Sequence, residues 1–195
     1  WERELKKLQV KTTDEKLKKV FYTALYHTCM APALYSDADG TYQNAKGEVL
    51  KMQQGQRYTE FSLWDTFRAE DPLFSITQPR RMPDFINTMM VFYKENGLLP
   101  IWDLSTWETN TMTGYHAIPV LADAILKDMK GIHAAEIFEA MKKSAMQNIH
   151  VTDVYRQYGY VQQDNYGSIV TVHVAYRYAD WCSEQVATKL GRTDT

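Results

Sequence analysis

Two cysteines in 195 residues, Cys29 and Cys182, are too few for a disulfide-built scaffold. They stand far apart and can pair in an oxidising compartment, but two buried free thiols are the expected state. No Cys/His spacing suits a structural metal site. No apolar run approaches the ~18 residues needed to span a bilayer, so no membrane span is expected. The opening residues WERELKKL are amphipathic and charged, unlike a signal peptide, and the chain is expected to begin inside a larger protein. No basic block exceeds a Lys pair or Arg80–Arg81, and the formal net charge is −2, which argues against a nucleic-acid partner. No internal repeat of about 20–50 residues is evident, which excludes a consensus solenoid.

What is present is globular. Hydrophobic residues make up 45% of the chain and charged residues 24%, enough for one domain with a real core. Aromatics reach 13%, with 13 Tyr and 5 Trp. Sugar-binding clefts carry such rings because they stack on the C–H face of a pyranose, and large helical cores carry them too.

Periodicity gives helix after helix. Trp1, Leu5 and Leu8 share one helical face. Thr12 and Glu15 have capping-box spacing, and Leu17, Val20, Phe21, Ala24, Leu25 and Thr28 form the expected buried stripe of the helix that follows, ended by Pro32. Residues 35–57 lose the period and hold turn chemistry: Asp37-Ala-Asp39-Gly40, Asn44, Gly47 and Gly55. Asp37 and Asp39 hint at a calcium loop whose other ligands are missing, so a turn is expected. A helix is predicted over 58–70, with Phe61, Trp64, Phe67 and Arg68 on one face. Asp65 then either pairs with Arg68 three residues on or points with Trp64 into a sugar pocket. The helix over 82–96 carries a core stripe of Met82, Phe85, Ile86, Met89, Met90 and Tyr93, closed by Gly97. Helices over 116–129 and 133–146 form a hairpin around Gly131, and His133 and His150 read as ordinary surface residues. Residues 153–167 are a Tyr-rich connection. Ser168–Leu190 contains the β-branched run IVTVHV, which suits a short strand, but Val172, Tyr176, Ala179, Val186 and Leu190 keep helical spacing up to Gly191.

The densest stretch is Trp102–His116, WDLSTWETNTMTGYH, with two tryptophans, two carboxylates and five hydroxyl residues. It has no period and joins two helices, a common setting for binding and catalytic groups. Glu108 follows Trp107, and a carboxyl beside an indole can be desolvated and kept protonated as a general acid. Equally, the stretch can be a polar connection with Trp107 plugging a core gap.

This stretch resembles the W-E-L-x-G-N-E-T-x-x-M-x-G-Y-H signature of glycoside hydrolase family 92, the calcium-dependent, inverting bacterial α-mannosidases. The matching residues are Trp102, Leu104, Glu108, Thr109, Met112, Gly114, Tyr115 and His116, with Asp103 in place of a glutamate. Similar blocks run over 22–42, 58–73, 84–102 and 178–182, and 153–167 resembles the family's G-Y-x-x-x-D stretch. The resemblance implies an all-α chain forming part of an (α/α)6 barrel. Residues 1–195 would be a single helical segment, an incomplete toroid from the N-terminal and central part of a larger catalytic domain.

It further implies Glu108 as general acid, with Trp64, Asp65, Trp107, Tyr115 and His116 at the substrate and Glu108 and Asp65 opening to one cleft. A calcium ion would pull on the sugar hydroxyls, with no ligand assigned in this chain. The expected partners are a mannose-containing oligosaccharide or N-glycan, through α-1,2 linkages, and the remainder of the parent chain; the expected location is periplasmic or extracellular. Two departures stand out: Trp107 replaces the family's asparagine, and Ala175 stands where a glutamate is usual. The family's base aspartate belongs to a later G-N-E-P-x-H region absent here, so the chain assayed alone is expected to be inactive. A non-catalytic carbohydrate-binding domain and a helical interaction domain are the alternatives.

Overall fold

The computed structural model describes residues 1–162 and 167–192. The order is α1 (Glu2–Leu5), α2 (Glu15–His27), β1 (Ala33–Leu34), β2 (Thr41–Gln43), β3 (Val49–Lys51), β4 (Tyr58–Thr59), α3 (Leu63–Thr66), α4 (Glu70–Thr77), α5 (Met82–Asn96), β5 (Asp103–Leu104), β6 (Trp107–Glu108), α6 (Ala117–Leu126), α7 (Ala134–Ala145), α8 (Thr152–Tyr158) and α9 (Ile169–Lys189). Among the described residues the strands form only two-stranded antiparallel ribbons, β1 with β4, β2 with β3 and β5 with β6. The architecture is helical, as expected, and no described helix is long and apolar enough to cross a membrane.

The core is built around α6. Ala117, Ile118, Val120, Leu121, Ala122, Ala124 and Ile125 are all buried, so apolar residues point every way and the helix must be surrounded. The helices α9, α4 and α7 surround it. On α9 the β-branched run is helical, with Val172, Tyr176, Ala179 and Val186 facing inward. Residues Met82, Phe85, Ile86, Met89 and Met90 of α5 fill the same core, and α5 closes on Gly97 at φ 86°. Both cysteines are free thiols.

Three expectations are corrected. Residues 58–70 are not one helix. Tyr58 and Thr59 pair with Leu34 and Ala33, Glu60 takes a left-handed φ of 67°, and only Leu63–Thr66 is helical before α4 begins. Strand pairing with a distant segment outweighs the local period. The cap of α2 is Asp14, which accepts from the Leu17 N–H at 3.0 Å, while Thr12 accepts from the Asp14 N–H. The predicted stripe of α2 is mostly uncovered: Leu25 is buried, but Leu17 and Val20 are 55% and 58% exposed.

Candidate active site

Residues 103–108 form a tight ribbon inside the Trp102–His116 loop. Asp103 pairs with Glu108 and Leu104 with Trp107, leaving Ser105 and Thr106 as a two-residue turn with φ of 50° and 70°. Such turns usually use Asn-Gly, because positive φ costs other residues energy. Here tertiary bonds hold the turn. The Ser105 N–H donates to Thr59 Oγ1 at 2.6 Å, and the fully buried Thr106 hydroxyl donates to the Gln43 carbonyl at 3.4 Å.

Glu108 is fixed by three backbone donors. Oε2 accepts from the Ile101 N–H at 2.7 Å, and Oε1 from the Trp102 and Asn110 N–H groups at 3.0 and 2.8 Å. The carboxylate therefore gathers both ends of its loop, and Oε2 keeps a lone pair beyond its single bond. Trp107 does not cover it. Neighbouring residues in a strand point to opposite faces, and Trp107 is 62% exposed, neither a core plug nor a desolvating lid.

A relay leads from this loop to Asp65. Trp102 Nε1–H donates to Ser62 Oγ at 2.9 Å, and the Ser62 hydroxyl donates to Asp65 Oδ2 at 2.6 Å. Of the two alternatives for Asp65, the pairing with Arg68 is not formed: Arg68 lies over the Trp64 and Phe67 rings, 4.7 and 4.8 Å from their centroids. Asp65 lines a cavity of about 250 Å³ with His27, Glu60, Glu70 and Asp71, whose lining does not include Glu108. Burial pushes Glu70 up to about 7, reinforced by Asp71, and pushes Asp71 up to about 6 against the Thr66 hydroxyl that donates to it.

Trp64 and His116 meet on a different side, in a cavity of about 570 Å³ walled also by Phe67, Arg68, Ala175 and Tyr178. His116 is buried and stacked on Phe67 at 4.3 Å, and neither ring nitrogen has a hydrogen-bond partner of normal geometry. Burial, helped by the charge of Arg68, lowers it to about 4, with the Thr113 backbone opposing. A Cβ at Gly114 would meet His116 Nε2 at 2.6 Å and the Ala175 Cβ at 3.1 Å, so Ala175 lies close to this ring. Tyr115 lies in the core, stacked on Tyr176 at 4.7 Å, and its hydroxyl donates to Asp180 at 3.1 Å. Burial and that carboxylate push its ionisation well above the ordinary tyrosine range. The six sequence-derived site residues thus fall into separate places: Glu108 and Asp65 joined by the relay, Trp64 and His116 in one cavity, Trp107 outside and Tyr115 inside.

Sequence reasoning placed Asp103 in the signature without giving it a site role, and missed Arg57, Glu95, Glu70 and Asp71. Only the adjacent carboxylates Glu70 and Asp71 before Pro72 left a local trace; the rest are notable for their neighbours. Among the described residues no group of three or more His, Cys, Asp or Glu side chains fits a metal ion, and Asp39, of the turn that hinted at a calcium loop, accepts from the Thr41 N–H and hydroxyl. The G-Y-x-x-x-D stretch ends on Asp164, outside the described residues.

The family model for the glycosyl hydrolase family 92 catalytic domain matches residues 1–195. The chain is 40% identical to a family GH92 alpha-mannosidase from Bacteroides thetaiotaomicron, with a TM-score of 0.94 over 98% of this chain and 26% of that one. The same enzyme in complex with mannoimidazole gives 40% identity and a TM-score of 0.95 over 100% of this chain and 26% of that one. A family GH92 inverting mannosidase from Bacteroides thetaiotaomicron is 29% identical, with a TM-score of 0.87 over 100% of this chain and 28% of that one. The chain spans about a quarter of the length of these relatives. No curated protein matches it.

Proposed function

The chain belongs to glycoside hydrolase family 92, and we propose from that premise that its protein hydrolyses α-mannosidic bonds of mannose-containing glycans by inversion, with Glu108 as general acid. The observation that carries the reading is the hold on Glu108. Three backbone amides fix its carboxyl group, while Oε2 keeps one position that no amide occupies and that can carry the proton to be delivered. An inverting enzyme protonates the leaving oxygen on one side of the sugar and activates water on the other, with the two carboxyl groups ~6.5–9.5 Å apart. The base is not assigned to a residue of this chain. The similar mannosidase bound to mannoimidazole and the similar inverting mannosidase support the substrate class and the stereochemistry. Asp65, held through Ser62 by Trp102, is the proposed sugar-hydroxyl acceptor. Trp64 and His116 contribute a second wall, and Trp107 offers an exposed stacking face. Tyr115 serves indirectly, by fixing the start of α6 through Asp180. Calcium is the family's expected cofactor, and among the described residues no group of three or more His, Cys, Asp or Glu side chains is placed to hold it. An α-1,2 preference and a periplasmic or extracellular site complete the proposal.

The test is Glu108→Gln in the full-length protein. Turnover of α-1,2-mannobiose should fall by about 10²–10⁴-fold, and an aryl mannoside with a good leaving group should suffer much less. Equal losses on both substrates would remove Glu108 from the acid role. Saturable mannobiose binding without turnover by the wild type would favour a non-catalytic sugar-binding protein.

A further inference from the structure

The ribbon that carries Glu108 is too short to hold its own shape. Each strand contributes two residues, Asp103 and Leu104 against Trp107 and Glu108. Its turn places Ser105 and Thr106 at positive φ, a conformation that Asn-Gly turns favour and that a β-branched threonine resists. A turn of this kind persists only where its surroundings over-determine it. The consequence reaches Glu108 through register. Side chains alternate along a strand, so a one-residue slip would turn Glu108 to the opposite face, away from the Ile101, Trp102 and Asn110 amides.

The register is fixed chiefly by one distant segment. The Phe61 N–H donates to the Asp103 carbonyl at 3.1 Å, and Thr59 Oγ1 accepts from the Ser105 N–H at 2.6 Å. These two bonds grip the ribbon on both sides of Leu104. Thr59 is itself seated by strand pairing with Ala33. On the other side the Thr106 hydroxyl reaches the Gln43 carbonyl at 3.4 Å, a longer and weaker bond. Phe61 and Gln43 act through backbone atoms, so of these three outside partners only Thr59 holds the ribbon with its side chain. Thr59 is 5% exposed, so it acts through the ribbon and not by touching a sugar.

We infer that Thr59 is a positioning residue for Glu108: its hydroxyl oxygen fixes the Ser105–Thr106 turn, and with it the register that aims the acid at the leaving oxygen. The inference rests on the reading of Glu108 as general acid. This role is separate from sugar binding by Asp65, which is held by its own link through Ser62 to Trp102. Valine at 59 keeps the shape and strand preference of threonine but removes the acceptor. The turn then relaxes, and a catalytic group displaced by about an ångström loses up to about 10²-fold in rate.

The experiment compares kcat and KM of the full-length wild type, Thr59→Val, Thr59→Ser and Glu108→Gln on mannobiose and on an aryl mannoside with a good leaving group. T59V should lower kcat on mannobiose by about 10–10²-fold with KM little changed, and should largely spare the aryl mannoside, which needs less protonation. T59S, which restores the oxygen, should return kcat toward the wild-type value. A merely structural Thr59 does not distinguish leaving groups, so equal losses of T59V on both substrates, or full activity on both, overturn the inference. The underlying reading fails separately, when E108Q itself shows no difference between the two substrates. If T59V does not fold, hydrogen exchange of the wild type read by mass spectrometry decides. A Ser105 amide that is protected although its residue is exposed supports the hold, and one that exchanges as freely as an unbonded amide overturns it.

Discussion

Trp102 and Asp65 are joined through one hydroxyl: the indole N–H reaches Ser62 Oγ at 2.9 Å, and Ser62 reaches Asp65 at 2.6 Å. The loop that carries Glu108 and the short helix that carries Asp65 are thereby locked to each other, although their residues are some forty positions apart.

Trp102→Phe breaks this link while keeping a ring in place. It should cost about 1 kcal/mol, the usual net worth of one such bond. It should also raise KM more than it lowers kcat, because Asp65 is freed while Glu108 keeps its amides. Denaturant unfolding and steady-state kinetics check both parts. An unchanged KM would show that Asp65 does not touch substrate.

Glu108→Gln has a stability cost as well as a catalytic one. Glutamine keeps one acceptor oxygen and sets an amide donor against at least one of the backbone N–H groups of Ile101, Trp102 and Asn110. Leaving a part-buried N–H without its acceptor costs about 1–3 kcal/mol, so a loss of about 2 kcal/mol is expected. The midpoint of denaturant unfolding should fall with the slope unchanged. An unaltered midpoint would mean that the carboxylate does not hold its loop.

Asp71 makes stability fall as pH rises. Its folded pKa of about 6 lies above the ordinary 3.8, with burial as the main cause and the Thr66 hydroxyl opposing. The folded state therefore binds the proton more tightly than the unfolded state. The contribution is fully present below pH about 4 and is lost as pH climbs through about 6, a swing on the order of 3 kcal/mol. Asp71→Asn keeps an acceptor for Thr66 and removes the ionisation. Thermal melts from pH 4 to 7 should show a decline in the wild type that is flattened in D71N, with a residual slope from Glu70, which burial pushes up to about 7. Parallel curves would count against a protonated Asp71.

Ala175→Glu should supply the carboxylate that His116 lacks. Ala175 and His116 wall the same cavity, and both crowd the position a Gly114 Cβ would take. A glutamate there would offset burial and the charge of Arg68, the two effects that hold His116 at about 4. Titration of the His116 Cε1 proton by NMR should show its midpoint moving upward. A midpoint that stays near 4 would show that the new side chain turns to solvent.

The sequence by itself determined the helices whose apolar period coincides with a completed neighbourhood. Met82, Phe85, Ile86 and Met89 on α5, Ile137, Phe138 and Met141 on α7, and Val172, Tyr176 and Ala179 on α9 read correctly because each stripe meets another helix. The ordered motifs around Trp102–His116 likewise carried the family. Tertiary structure decided the rest. Leu17 and Val20 have the same period as a core stripe and lie exposed, since a period states which residues share a face and not whether anything covers it. Tyr58 and Thr59 left their predicted helix for a partner strand some twenty-five residues upstream. Arg68 stacks on Trp64 instead of pairing with Asp65, because side-chain partners follow from three-dimensional proximity. Asp103 and Glu108 are both carboxylates in one loop, and nothing local separates them. One is buried beside Arg57 without a bond and the other is held by three amides, because a two-residue turn set their register and the surrounding elements supplied their charges.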